Sequence, residues 1–337
     1  TKAIILDSNG RSEECGALMR HALAIALTND VASAAERAYY NLSNLAYYNE
    51  DFGEALRYAQ DGLALCRRLG EREWEWEFLA STVSVFYWTG RWDEALEMAS
   101  DIPALEEIPA ARFSSVELLM SLPPLLIAQG RGKEARALLA SFEGFSESAD
   151  QQERGSYEAA HMIVLRAEGK LAEARGLAET VIEREVALGP RFPGLKAALV
   201  EGAEVALARG DWGRAEELIG RMKQRPVGGS TPYLDAQGAR LQALLDASRD
   251  EGPRVEALFK DAVGRFREIE SPFWLGVCLL DYGEWLGKRV GPDAAEPLAE
   301  EAAEIFKRLG ARPWLERAGR SAGDAAPRLA PAIPAGD

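Results

Sequence analysis

Few side chains in this chain could do chemistry, and their spacing limits what that chemistry would be. The only histidines, His21 and His161, are too far apart in sequence to suggest a metal-ligand pair, and no HExxH or GxSxG occurs. Gly130-Arg131-Gly132-Lys133 carries a lysine in a glycine-rich turn but lacks the GxxxxGK[ST] spacing that cradles phosphate. Cys15, Cys66 and Cys278 form an odd, widely spaced set. Such a set can make neither a disulfide framework nor a CxxC metal clip, and with no basic residues patterned around them buried, inert thiols are expected. Carboxylate pairs such as Asp93-Glu94 and Glu106-Glu107 read as solvated helix faces. The expectation is a non-catalytic chain with no cofactor and no metal.

The elements that must position any site repeat. A glycine or polar turn, an acidic residue and then alanine open a helical run again and again: Asp51-Phe52-Gly53-Glu54-Ala55, Gly90-Arg91-Trp92-Asp93-Glu94-Ala95, Gly130 to Ala135, Gly169 to Ala174, and Gly210 to Ala215. Gly10 to Cys15 begins the series, and Arg254-Val255-Glu256-Ala257 and Gly291 to Ala295 close it. With anchors at 15, 55, 95, 135, 174, 215, 257 and 295, the steps are 40, 40, 40, 39, 41, 42 and 38. Apolar residues at spacings of three and four run up to each turn and away from it, so the unit is a helix-turn-helix hairpin. Glycine supplies the left-handed residue that ends the first helix, and the acid favours the positive end of the second. Gly70, Gly189 and Gly310 stop second helices fifteen residues past their anchors; Thr231-Pro232 and Ser271-Pro272 restart first helices. His161 occupies a slot filled elsewhere by Leu42, Thr82, Leu122, Leu244 and Tyr282, which makes it a packing residue. No strand pattern occurs. The fold class is all-α, a right-handed α-α superhelix of about eight hairpins spanning 1–320, with 321–337 an Ala/Pro-rich disordered tail and 224–232 the natural hinge. Pro123 and Pro124 should kink their helix or delay its start, turning the groove near the fourth repeat.

Charge narrows the partners. Lys and Arg number 39 against 54 Asp and Glu, 39 − 54 = −15, so direct nucleic-acid binding is not expected. No apolar run approaches the roughly 20 residues of a membrane span, and the start lacks a secretory signal, so a cytoplasmic location is expected. The missing initiator methionine and the short first helix read as a piece of a longer polypeptide.

In such a stack the first helix of each pair lines the concave side. Positions fourteen and eleven before each anchor lie on one face of it: Asn41/Asn44, Ser81/Ser84, Ser121/Pro124, Ala160/Ile163, Glu201/Glu204, Ala243/Asp246 and Asp281/Glu284. Tyr40, Tyr48 and Trp88 stand beside the first two rungs. The hydrogen-bonding end suits a neutral ligand or peptide and the acidic end a basic partner segment. The plainer alternative is that the aromatics are core and the acids solvated.

The Gly, aromatic, Glu-Ala turn and the small residue twelve before the anchor (Ser43, Ala203, Gly283) resemble the tetratricopeptide repeat over nearly the whole chain. The period near 40 departs from that family's roughly 34, and its helix-ending proline is mostly absent. The long period and the closing Phe306-Lys307-Arg308-Leu309-Gly310-Ala311-Arg312-Pro313-Trp314-Leu315-Glu316-Arg317-Ala318 resemble the C-terminal repeat regions of large bacterial signalling ATPases, including LuxR-type regulators and adenylate-cyclase-linked ATPases. That resemblance implies a sensing and partner-docking role in signalling or transcription regulation. The LuxR-type members carry a DNA-reading helix-turn-helix after the repeats, and nothing after Arg320 reads as one, so the cyclase-linked or stand-alone branch fits better. Two readings follow: a scaffold docking a protein segment or another domain of its own chain, or a domain holding a small neutral effector in the concave groove. An open groove favours the first and a closed superhelix the second.

Overall fold

The structure is a computed structural model that describes residues 2–8, 10–102, 112–225, 231–249 and 252–320. The expected tail, and residues 226–230 of the expected hinge, lie outside the described residues. Among the described residues there is no strand, and eighteen α-helices stack as hairpins. The first is α1 (Lys2–Ser8) with α2 (Ser12–Thr28), followed by α3 (Ala32–Tyr48) with α4 (Phe52–Leu69) and α5 (Arg72–Trp88) with α6 (Trp92–Ala99). The fourth pairs α7 (Arg112–Ala128) with α8 (Gly132–Ser141), and the fifth α9 (Gln151–Ala167) with α10 (Leu171–Glu183), trailed by the single turn α11 (Glu185–Leu188). Then come α12 (Pro193–Ala208) with α13 (Trp212–Lys223), α14 (Pro232–Ser248) with α15 (Gly252–Glu268), and α16 (Pro272–Arg289) with α17 (Pro292–Leu309). A last short helix, α18 (Arg312–Ala318), starts a ninth rung. The fold is an α-solenoid of helical hairpins.

Each second helix begins three residues before its anchor, and that rule corrects the seventh. Helix α15 opens at Gly252, which puts the anchor at Val255; Val255 is fully buried and Ala257 exposed. The last steps become 255 − 215 = 40 and 295 − 255 = 40. A helix accepts valine wherever the neighbouring hairpin leaves room, so composition misled where spacing did not. In the second hairpin Gly53 lies inside α4, and Glu50 is the left-handed residue of the turn, at φ 64°. Helix α7 runs unbroken through Pro123 and Pro124 for 17 residues, with no delay in its start.

First and second helices bury different fractions of their surface, as stacking demands. Helix α5 is buried without a gap from Glu77 to Tyr87 and α12 from Ala198 to Leu207, because each is flanked by its own partner, by the adjacent first helices and by the interior. Helix α4 buries one stripe, Phe52, Ala55, Tyr58, Ala59, Gly62, Leu63, Leu65 and Cys66, at the three-four spacing of a helix that is solvated outside.

The superhelix closes on itself. The turns ending α3, α5 and α7 pack against the starts of α12, α14, α16 and α18. Trp88 meets Tyr233 edge-on with ring centres 4.9 Å apart, Trp92 lies against Phe273 at 5.4 Å, and Gln129 Nε2 donates to the Leu309 carbonyl at 3.2 Å. A Cβ on Gly90 would strike the side chains of Pro272 and Leu309, so the turn meets them where only glycine fits.

Candidate functional site

The seam borders a cavity that is partly open to solvent and lined mainly by the first helices. Its walls are aromatic: Tyr47 and Phe52 from the second hairpin, Tyr87 and Trp88 from α5, Tyr233 from α14, Phe273 and Trp274 from α16, and Trp314 from α18. Glu50 and Lys196 stand on its wall as an ion pair, Nζ to Oε1 2.7 Å, and Arg166, Glu201 and Glu204 line it as well. A water-sized sphere finds about 70 Å³ inside. Each water needs roughly 10–15 Å³ on that measure, so the cavity holds a few waters. The indole N–H of Trp274, a buried side chain, has no acceptor among the described residues.

Beside the cavity a ladder of buried ion pairs climbs from hairpin to hairpin. Arg166 on α9 pairs with Glu201 and, at 3.1 Å, with Glu204 on α12; Arg240 on α14 joins Glu204 to Asp281 on α16, both at 2.7 Å. Arg317 on α18 completes it, 2.8 Å from both Asp281 and Glu284. Burial works against the charge of Arg166 and Arg240, yet the adjoining carboxylates outweigh it and hold both guanidiniums above their ordinary pKa. Burial pushes Glu201 the other way, above the carboxylate range, against the pull of Arg166. Arg240 also lies over the Trp274 ring at 5.7 Å, which ties the ladder to the cavity wall.

The acidic rungs expected to face a basic partner are therefore placed differently from a free surface. Glu201, Glu204 and Asp281 are buried and bound to arginines of the same chain, and Glu284 shares Arg317. Asp246 is outside the ladder: with the anchor at Val255 it falls nine before it, off the rung positions at fourteen and eleven, and there it accepts from Gln242 and faces Arg254. The arginines were the residues missed. Their signal was a basic residue on a first helix about one repeat away from an acidic pair: Arg240 lies 36 residues from Glu204 and 41 from Asp281.

The hydrogen-bonding rungs come together on a residue that the repeat slots did not single out. Tyr40 donates to Glu117 Oε1 at 3.3 Å, and Ser84 donates to the Glu117 carbonyl at 3.3 Å. Asn44 bonds the Tyr40 hydroxyl, and the Ser81 hydroxyl donates to the Glu77 carbonyl at 3.0 Å, one turn back on its own helix. Burial first, and repulsion from Glu77 second, raise the Glu117 carboxyl to about 8. Trp88 points elsewhere: its indole N–H donates to the Tyr47 hydroxyl at 2.9 Å on the cavity wall, with the Phe52 ring stacked at 5.7 Å. Tyr48 packs beside Tyr47 at 5.9 Å. Asn41 is turned away from both, into a shallow groove against α1 and α2 lined by Leu18, Met19 and Ala38.

The remaining candidates for chemistry are packing residues. His161 lies against Tyr157, and burial lowers its pKa. All three cysteines are buried and free, and burial raises Cys66 to about 12. Among the described residues no His, Cys, Asp and Glu group could hold a metal ion, and no helix is long and apolar enough to cross a membrane.

No curated protein matches the chain. A profile of the tetratricopeptide repeat family matches residues 37–69, which is the body of α3, the Glu50 turn and all of α4.

Proposed function

We propose that the chain is a non-catalytic interaction and sensing scaffold, the regulatory repeat region of a bacterial signalling or transcription-regulating ATPase working in the cytoplasm, and that its effector site is the seam cavity. The supporting observation is closure. An extended peptide laid along the first helices would have to part Glu50 from Lys196 and lift Trp88 off Tyr233. A small molecule, once inside, leaves both contacts free to close again. Its chemistry follows from the lining: rings to stack on, an indole N–H seeking an acceptor, and ionic groups already matched to each other. The occupant this suits is an uncharged, ring-bearing molecule with a hydrogen-bond acceptor, since a charged one would compete with buried pairs.

A thermal-shift screen of the chain against metabolites tests this, because a ligand that binds only the folded state raises its melting temperature. The expected result is a hit whose shift is lost in Trp274→Phe, which keeps the ring and removes the donor. A hit whose shift survives in Trp274→Phe places the ligand elsewhere.

Docking of a protein segment or a neighbouring domain is the second reading, favoured by the tetratricopeptide match and by one surface. Leu18, Ile25 and Leu27 on α2, and Val31 after it, are all exposed large apolar residues. No hit in the screen, together with capture of a partner that Ile25→Asp abolishes, would make this the working account.

A further inference from the structure

We infer that Glu50 is a latch: its carboxylate holds the superhelix closed over the seam cavity, and its release opens the interior. The backbone supplies the first observation. In the turn between the two helices of a hairpin, Gly10, Gly90, Gly130, Gly169 and Gly210 take φ of 71° to 79°, and Glu50 takes 64°. A side chain is sterically disfavoured there, which is why glycine fills the other five. Asp30 and Glu270 also have positive φ, but both are exposed at the surface. Glu50 alone of the three is buried, 7% exposed.

What Glu50 does with that position is the second observation. One carboxylate oxygen accepts from Lys196 Nζ at 2.7 Å and the other from the backbone N–H of Tyr233 at 2.5 Å. These groups belong to the sixth and seventh hairpins, 146 and 183 residues along the chain. Tyr233 lies in the first turn of α14, where backbone donors have no partner within the helix and the dipole favours a carboxylate. A glycine in the same turn would relax the backbone and leave the seam with neither bond. Arg191 strengthens the same edge, bonding Asn49 of this turn and Asp7 of α1.

Closure then controls access. The cavity as it stands has room for a few waters, so a larger occupant is seated only when α12 and α14 swing away from the turn. The latch rests on the effector reading for its purpose and not for its test.

The test compares the whole chain with Glu50→Gly, and with Glu50→Gly/Lys196→Met, which leaves no buried charge unpaired should the single variant fold poorly. Small-angle scattering reads the shape and amide hydrogen exchange reads the seam. The expected result is unchanged helical circular dichroism, a larger radius of gyration, and exchange across 193–200 and 231–240 faster by about a hundredfold, the effect of losing a buried charged contact. Protection inside α4 and α5 should stay as in the parent. A double variant with the parent's radius of gyration and exchange overturns the latch. Loss of helicity in both variants overturns it too, since Glu50 would then hold up the fold and gate nothing. A ligand screen that fails would remove the effector reading and leave both measurements standing.

Discussion

Glu117 is where the polar rungs acquire a measurable consequence. Its carboxyl sits at about 8 in the folded chain, against about 4.3 in an unfolded one. Between those values the unfolded state has given up the proton and the folded state keeps it. Glu117 therefore favours folding fully below about pH 4.3, loses that contribution as pH rises, and contributes no further slope above about pH 8. In urea unfolding across that window, Glu117→Gln should flatten the fall in stability by up to about 1.4 kcal/mol per pH unit. Equal slopes in parent and variant would mean that Glu117 is ionised in the fold. Arg240 is the other residue with a clear expectation. Arg240→Met removes one of the two arginines that hold each of Glu204 and Asp281 in the interior and should cost about 3 kcal/mol by denaturation, whereas Arg267→Met, which breaks the exposed pair with Glu301 at 2.7 Å, should cost at most about 1 kcal/mol. A matching loss in the two variants would deny the ladder its buried character. The residues Tyr40, Asn44, Ser81 and Ser84 were legible because helical spacing puts them on one face. The partner of Tyr40 and Ser84 was not, since Glu117 lies eighteen residues before its anchor, outside the rung positions.

Hairpins were the most legible scale, because the turn, the small anchor and the stop each answer to a local physical requirement that repeats. Both departures arose where a residue type was followed in place of a position. Val255 fills a slot that alanine fills elsewhere, and Glu50 fills one that glycine fills elsewhere. The same distinction separates two glycines inside second helices. Gly62 in α4 faces α5 so closely that an added Cβ would lie 2.2 Å from a carbon of the Phe78 ring, while Gly176 in α10 has open space around it. Alanine is the better helix former by about 1 kcal/mol. Gly62→Ala should nonetheless lower stability by about 1–3 kcal/mol through overpacking, and Gly176→Ala should raise it by roughly 0.5–1 kcal/mol. Thermal melts of the two variants check the pair. A stabilising Gly62→Ala would mean that α4 and α5 pack less tightly than their contact implies.

Closure of the whole molecule left no trace in the period. A repeat sequence encodes contacts between neighbours about 40 residues apart, whereas the seam joins Glu50 to Lys196 and Tyr233 across 146 and 183 residues through side chains that follow no repeat. Those few long-range bonds change what kind of object the chain is. An open solenoid is held by intrinsic hairpin stability and nearest-neighbour interfaces, so its ends can fray and its middle can melt separately. Tying the second, third and fourth hairpins to the sixth, seventh and eighth makes each end support the other, because an end can loosen only by giving up seam contacts as well. The parent chain should therefore melt in a single calorimetric transition whose calorimetric and van't Hoff enthalpies agree. Glu50→Gly/Lys196→Met should melt in a broadened or split transition, the first hairpins parting from the rest at lower temperature. A parent that already unfolds hairpin by hairpin, with a van't Hoff enthalpy well below the calorimetric one, would mean that the seam contacts are too weak to couple the two halves. The buried ladder and the nearest-neighbour stacking would then carry the stability alone.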